Sequence, residues 1–263
     1  MERGLDTFFE VFLKKDSVFF DKKVLQSSYI PETILHREEQ TKQVANIIAP
    51  ALRGDKPSNV FIYGKTGTGK TLTIKHTTQK LSEIAERENI PLKVIYINCK
   101  LKRSTDTEYR LIAQLARELG KSIPPTGLPT EEVYKAFFKA LNKQKQNYVL
   151  VLDEIDQLIN KAGDNALYNL TRLNEEDTQS QISIIGISND IMFVENLDPR
   201  VRSSLSEEEI IFPPYNAIQI QAILKQRSEL AFNKEALEQG VIEKCAAYAA
   251  RDHGDARRAL ELL

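Results

Sequence analysis

Tryptophan is absent from this 263-residue sequence, which holds only two cysteines, two methionines and three histidines. Cys99 and Cys245 are too few and too far apart for a disulfide framework, which makes a reducing cytoplasm the default compartment. His36, His76 and His253 are dispersed and make no metal-ligand spacing with the cysteines. No apolar run approaches the roughly 18 residues that suggest a membrane span, and the N-terminal residues lack a signal-peptide pattern, so no membrane partner is expected. An excess of one charge sign is missing too. The 36 basic against 37 acidic side chains leave −1, which excludes a uniformly basic nucleic-acid coat but not a local patch. No Ser/His/Asp or Cys/His arrangement stands out for nucleophilic catalysis. Asn169-Leu-Thr171 is a chance match to a glycosylation acceptor in a cytosolic chain.

With 41% hydrophobic and 28% charged residues over this length, the chain is globular and can bury a large core. Residues 1–28 mix Phe8, Phe9, Phe12, Phe19 and Phe20 with lysine pairs and read as an arm packed on a body. Pro31 then opens a helix through Val44, Ile47, Ile48 and Leu52. A strand is predicted at 59–63, a helix at 71–81 and a strand at 93–98. Thr105-x-x-Glu108 reads as a capping box before a helix with Leu111, Ile112, Leu115 and Leu119. Thr130 caps another with Val133, Tyr134, Phe137, Phe138 and Leu141. The continuous apolar runs 148–152 and 182–187, alternating with helices, indicate a parallel sheet covered on both faces. After a short strand at 209–212, the pair Pro213–Pro214 marks a boundary. Helices at 216–230, 234–250 and 255–263 follow. The predicted organisation is an arm and α/β domain over 1–212 and a helical domain over 213–263.

Gly64-Lys65-Thr66-Gly67-Thr68-Gly69-Lys70-Thr71 matches G-x-x-x-x-G-K-[ST], between a predicted strand and a predicted helix. Glycines let successive N–H groups turn toward phosphates, and the helix N-terminus adds a favourable dipole. Lys70 brings a charge to the β/γ-phosphates, and the Thr71 hydroxyl is a ligand for Mg²⁺. Val149-Leu-Val-Leu-Asp153-Glu154 delivers two carboxylates at the C-terminal end of a buried strand, where ligands bind in open α/β sheets. Asp153 is the candidate Mg²⁺ holder, and Glu154 the candidate base that deprotonates the attacking water. Asp156 reads as a helix-start residue. Asn189, just past the 182–187 strand, is placed to hold that water or touch the γ-phosphate. Arg257 stands in the first turn of the last helix, where the macrodipole disfavours a cation unless an anion is present.

This order of motifs resembles the AAA+ ATPases, and more narrowly the archaeal origin-recognition and cell-division-control replication initiators. The narrower likeness rests on Tyr29-Ile30-Pro31, Leu35-His-Arg-Glu-Glu39, Ala49-Pro-Ala-Leu-Arg-Gly54, Asp198-Pro-Arg-Val-Arg-Ser-Ser-Leu205, Phe212-Pro-Pro-Tyr215 and Gly254-Asp-Ala-Arg-Arg-Ala-Leu260. The resemblance implies a five-stranded parallel sheet flanked by helices, plus a small all-α lid, with ATP or ADP bound between them. It makes Asn189 the first sensor and Arg257 the second. It sets Tyr29, Ile30 and Pro31 against the adenine, with Tyr215 and Ile223 closing from the lid. It also implies an arginine finger for a neighbouring subunit, Arg200 or Arg202 with Arg202 preferred, worth roughly 10³–10⁵ in rate when engaged.

The family's DNA-touching insertion corresponds to residues 100–128. Lys100, Lys102, Arg103, Arg110, Arg117 and Lys121 there outnumber Asp106, Glu108 and Glu118 by three. Lys102, Arg103, Arg110, Lys121 and Thr126 are the candidate DNA contacts, through phosphates and a groove-facing Pro-Pro-Thr-Gly turn. A solvated helix face is the competing reading of the same charges. In the family a winged-helix DNA-binding domain follows the lid. This sequence stops at Leu263, and the resemblance implies a piece of a longer chain. The implied function is a slow ATPase that recognises origin double-stranded DNA and helps load the replicative helicase, with a paralogous initiator as a further partner, in the cytoplasm at the nucleoid. Another AAA+ loader, or a nucleotide-gated binding module with negligible turnover, are the alternatives.

Overall fold

The computed structural model describes residues 2–14, 17–100, 107–124, 126–172, 180–193, 195–205, 208–234, 236–251 and 253–263. Its contacts divide the chain into two compact units, residues 36–214 and a second made of 1–35 with 215–263. Residues 1–35 thus group with the helices after 215 rather than with the sheet.

The larger unit is built on β1 (Val60–Tyr63), β2 (Leu92–Asn98), β3 (Asn147–Asp153), β4 (Gln181–Ser188) and β5 (Glu208–Ile211). They form one parallel sheet in the order β2-β3-β4-β1-β5. Alternate side chains go to opposite faces. Phe61, Tyr63, Ile95, Ile97, Leu150, Leu152, Ile182 and Ile184 share one core, while Val60, Ile62, Val149, Val151, Ile185 and Ile187 share the other. The second face is covered by Val44 and Ile48 of α2 (Glu38–Ile48) and by Ile74 and Leu81 of α3 (Lys70–Arg87). The first is covered by α4 (Glu108–Glu118), α5 (Thr130–Leu141), α6 (Ile155–Ala162), α7 (Asn165–Arg172) and α8 (Pro199–Leu205). Burial on both faces explains why the central strands read as unbroken apolar runs.

Several local expectations are corrected. The helix expected from Pro31 begins only at Glu38, because His36 at φ +59° and Arg37 at φ −134° stand outside helical backbone. The cap of α4 is Thr107, whose Oγ1 accepts from the Arg110 N–H. Thr105 lies outside the described residues, and Glu108 instead accepts from Tyr134 Oη at 2.6 Å and Asn169 Nδ2 at 2.8 Å. Thr130 is the first residue of α5 and Pro129 its uncapped boundary. The 71–81 helix runs on to Arg87. α7 and α8, at eight and seven residues, are too short to display a helical period in the sequence.

In the smaller unit, α1 (Glu2–Lys14) precedes a short 3₁₀ turn at Lys22–Leu25. α9 (Ala217–Ala231), α10 (Val241–Arg251) and α11 (Ala256–Leu262) pack around Tyr215, Ile220, Leu224, Ala246, Ala249 and Ala259. α10 starts at Val241 rather than 234, after Gly240 at φ +87°. The 17–35 strip is tied to the C-terminal half of α9 and the residues just past it. Phe19 bridges Phe232, with ring centroids 4.8 Å apart. The buried Arg227 donates to Val24 O at 3.1 Å and Tyr29 O at 3.4 Å and lies over the Tyr29 ring at 4.5 Å. Burial holds that guanidinium below its ordinary pKa. Among the described residues no helix is long and apolar enough to cross a membrane, and Cys99 and Cys245 are both free thiols.

Candidate functional site

The loop between β1 and α3 is shaped by glycine. Gly64, Gly67 and Gly69 have φ of +154°, +73° and +87°, a region costly for side chains. At Gly64 a Cβ would also lie 2.5 Å from the Phe212 carbonyl oxygen, so the loop backbone lies directly against the end of β5. Thr68 is buried and its Oγ1 donates to Lys65 O at 2.8 Å, closing the loop on itself, while Lys65 and Thr66 remain toward its outside. α3 opens at Gly69 with neither a side-chain cap nor an acid in its first turn. Its orphan N–H groups and positive dipole end therefore favour an anion.

Lys70, Thr71, Asp153 and Asn189 meet at this loop. The Lys70 Nζ lies 2.6 Å from Gly64 O, 2.8 Å from Lys65 O and 2.9 Å from Asn189 Oδ1. Thr71 Oγ1 donates to Asp153 Oδ2 at 3.0 Å. One hydroxyl and one carboxylate oxygen beside an anion site is a hard-oxygen donor set, the kind Mg²⁺ takes together with phosphates. The strand order makes this meeting possible: β1 and β3 flank β4, so all three deliver their C-terminal residues to one edge.

Glu154 follows Asp153 at φ +56°, in the left-handed region, where a non-glycine residue stores strain that clusters at working sites. Its Oε2 lies 3.3 Å from the Nζ of Lys100, whose side chain is exposed while that of Glu154 is largely covered. Three neighbours were not read from the sequence. Tyr96 donates to Asp153 Oδ2 at 2.5 Å, and burial together with that carboxylate raises the phenol's pKa. Lys75 stands over the same ring at 4.4 Å. Arg37, 2% exposed, donates to Thr68 O at 2.9 Å, His36 O at 3.0 Å and Pro213 O at 2.5 Å, stapling the loop to the residues past β5. Arg37, like Arg257, is a cation at a helix start against the dipole, and that is the signal the sequence carries for it.

The other candidates are spread out. In the smaller unit, Tyr29, Ile30 and Pro31 follow the 3₁₀ turn beside Arg227. Tyr215 is buried in the helical core, with Ile223 packed against it. Arg257 is exposed in α11 and borders an open hollow shared with Lys22, Ser27 and Leu260. On α8, Arg200 is held by Asp198 through two bonds of 3.1 and 3.0 Å, whereas the side chain of Arg202 is exposed. Of the DNA candidates, Arg110 is half-buried on α4, Lys121 is half-buried, and Thr126 is exposed. Lys102 and Arg103 lie outside the described residues. Much of α4 is core, with Leu111, Ile112, Ala113, Leu115 and Ala116 turned inward.

A parallel sheet whose first strand runs through a glycine-rich GKT loop into a helix, facing an acidic strand end, defines a P-loop nucleotide-binding protein. Residues 53–191 match the AAA domain and residues 221–263 the Cdc6 AAA+ ATPase-type lid domain. The ORC1-type DNA replication protein of Thermococcus onnurineus is 51% identical over 98% of this chain and 63% of its own length. The structure of the Aeropyrum pernix ORC1 protein in complex with DNA is 44% identical, with a TM-score of 0.86 over 94% of this chain and 63% of that one. That of the Aeropyrum pernix ORC2 protein in ADPNP–ADP complexes is 26% identical, with a TM-score of 0.79 over 93% of this chain and 66% of that one. The chain belongs to the AAA+ ATPases of the ORC1/Cdc6 type. It spans less than two thirds of the length of the curated relatives it matches.

Proposed function

We propose that the chain is the ATPase part of a replication initiator that binds origin double-stranded DNA, with its nucleotide state as the switch. The observation that carries this is the convergence of Lys70, Thr71, Asp153 and Asn189 on one glycine-built loop. The N–H groups of Gly64–Thr71 cradle the phosphates of ATP or ADP, and Lys70 exchanges loop carbonyls for a phosphate oxygen. Mg²⁺ held by Thr71 and Asp153 would neutralise the charge that develops on the phosphates. Glu154 takes the proton of the attacking water, and Asn189 holds that water or the γ-phosphate. Arg257 serves as a phosphate contact from the lid, and Tyr29, Ile30, Pro31, Tyr215 and Ile223 serve the adenine. Arg202, whose guanidinium is not paired with Asp198 as that of Arg200 is, is the better finger for a neighbouring, paralogous subunit. Lys102, Arg103, Arg110, Lys121 and Thr126 touch DNA, and the replicative helicase is the partner loaded at the nucleoid.

The test is hydrolysis and binding by the full-length protein. Glu154→Gln lowers turnover by roughly 10²–10⁴ while ATP still binds, and Lys70→Ala weakens ATP binding by about tenfold or more. Footprints on DNA flanking the protein's own gene differ between ATP and ADP. Unchanged turnover in Glu154→Gln, or equal footprints, contradicts this function.

A further inference from the structure

The sensor asparagine stands on a loop whose backbone is pinned from an unexpected side. Asn189 is exposed, directly past β4, and nothing in its own position explains why its amide meets Lys70. The residues flanking it explain it. Ser188, 1% exposed, donates from Oγ to Asp156 Oδ1 at 3.0 Å. The same Ser188 oxygen accepts the backbone N–H of Asp190 at 2.9 Å. One hydroxyl therefore fixes the residue before Asn189 and the residue after it. Asp156 is 9% exposed, and its other oxygen accepts from Gln157 Nε2 at 3.0 Å. A buried carboxylate is costly to keep unless its hydrogen bonds hold it. This one sits in the first turn of α6, two residues after Glu154, with an oxygen turned inward to Ser188.

We propose that Asp156 and Ser188 are positioning residues that hold Asn189 in register with Lys70, so that the acidic strand end and the sensor move as one piece. This rests on the reading of Asn189 as a group that acts on ATP. A helix-start aspartate with only a structural role would serve the α6 dipole and leave turnover alone. A positioning role requires an acceptor for the Ser188 hydroxyl, which asparagine supplies and alanine does not.

The test measures kcat and KM for ATP and the melting temperature of the full-length protein carrying Ser188→Ala, Ser188→Thr, Asp156→Ala and Asp156→Asn, with Asn189→Ala measured alone and combined with Ser188→Ala. Ser188→Ala and Asp156→Ala are expected to lower kcat about tenfold with KM nearly unchanged, a barrier change of roughly 1.4 kcal/mol. Ser188→Thr and Asp156→Asn, which keep the hydrogen bond, recover most of that loss. Ser188→Ala adds little once Asn189→Ala is present, because both act through one group. If Asn189→Ala lowers kcat but Ser188→Ala does not, or if their effects multiply, the positioning role is overturned. If Asn189→Ala itself leaves kcat unchanged, the reading of Asn189 falls first and this inference with it.

Discussion

A buried cation surrounded by backbone carbonyls is an expensive arrangement unless each N–H finds its acceptor, and Arg37 finds three of them in three separate segments. A lysine has one donor centre and cannot span that fork. Arg37→Ala is expected to cost about 2–4 kcal/mol by denaturant titration, with Arg37→Lys recovering little of it, because the Thr68 carbonyl is left buried without its donor. Cys99 makes a second residue-scale prediction. Burial, then the Asp153 carboxylate, pushes its thiol from 9.0 up to about 12. Between those values the unfolded chain sheds a proton that the folded chain keeps, so stability is full below pH 9 and falls as pH rises toward 12. Cys99→Ala makes that decline shallower between pH 9 and 10, below the range where the raised phenols of Tyr96 and Tyr134 titrate. Thiol labelling at pH 8 modifies the half-buried Cys245 before Cys99, which reacts only with unfolding.

Packing between elements depends on one missing side chain. Gly186 of β4 lies under the Phe61 ring, and a Cβ there would sit 2.6 Å from Phe61 Cδ1. Gly186→Ala is expected to destabilise by about 1–3 kcal/mol through overpacking, seen as a lower melting temperature with unchanged loop chemistry. The strands were legible in the sequence within a residue or two, because burial on both faces leaves an unbroken apolar run at 148–152 and an isoleucine-rich one at 182–187. The helix–loop borders were less so. Proline and glycine decide them at 129 and 240 and a left-handed His36 before α2, and their effect depends on backbone geometry that residue identity alone does not specify. The site shows the same division. The loop and the acidic pair announce themselves by spacing. Tyr96, Ser188 and Arg37 come from separate segments and meet Asp153, Asp156 and Thr68 only when the sheet order is known. A serine at the end of a strand carries no local signal that its hydroxyl serves a carboxylate 32 residues away.

The division of the whole molecule makes the smaller unit from two distant stretches, one of them short and poorly covered. Leu5, Phe8, Phe9 and Phe12 of α1 remain exposed, and the strip 17–35 is held by Arg227, by Phe232 and by backbone bonds to Ala231 O and from Asn233 N. Arg227→Ala is expected to raise amide exchange at Phe20, Asp21 and Val24 by tenfold or more, while β1 and β3 keep their protection. Equal protection in the variant would mean that the strip is held by something else. The same arrangement sets an order of events during synthesis. Residues 17–35 leave the ribosome early, yet their partners Ser228–Phe232 follow only after the roughly 180 residues of the other unit. At about 5–20 residues per second that is a wait of roughly 10–40 s, in which the sheet can already assemble around its own two cores. For that interval the aromatic strip around Phe19 and Tyr29 is a nascent segment in need of protection, and the ribosome-bound chain is where a chaperone would find it.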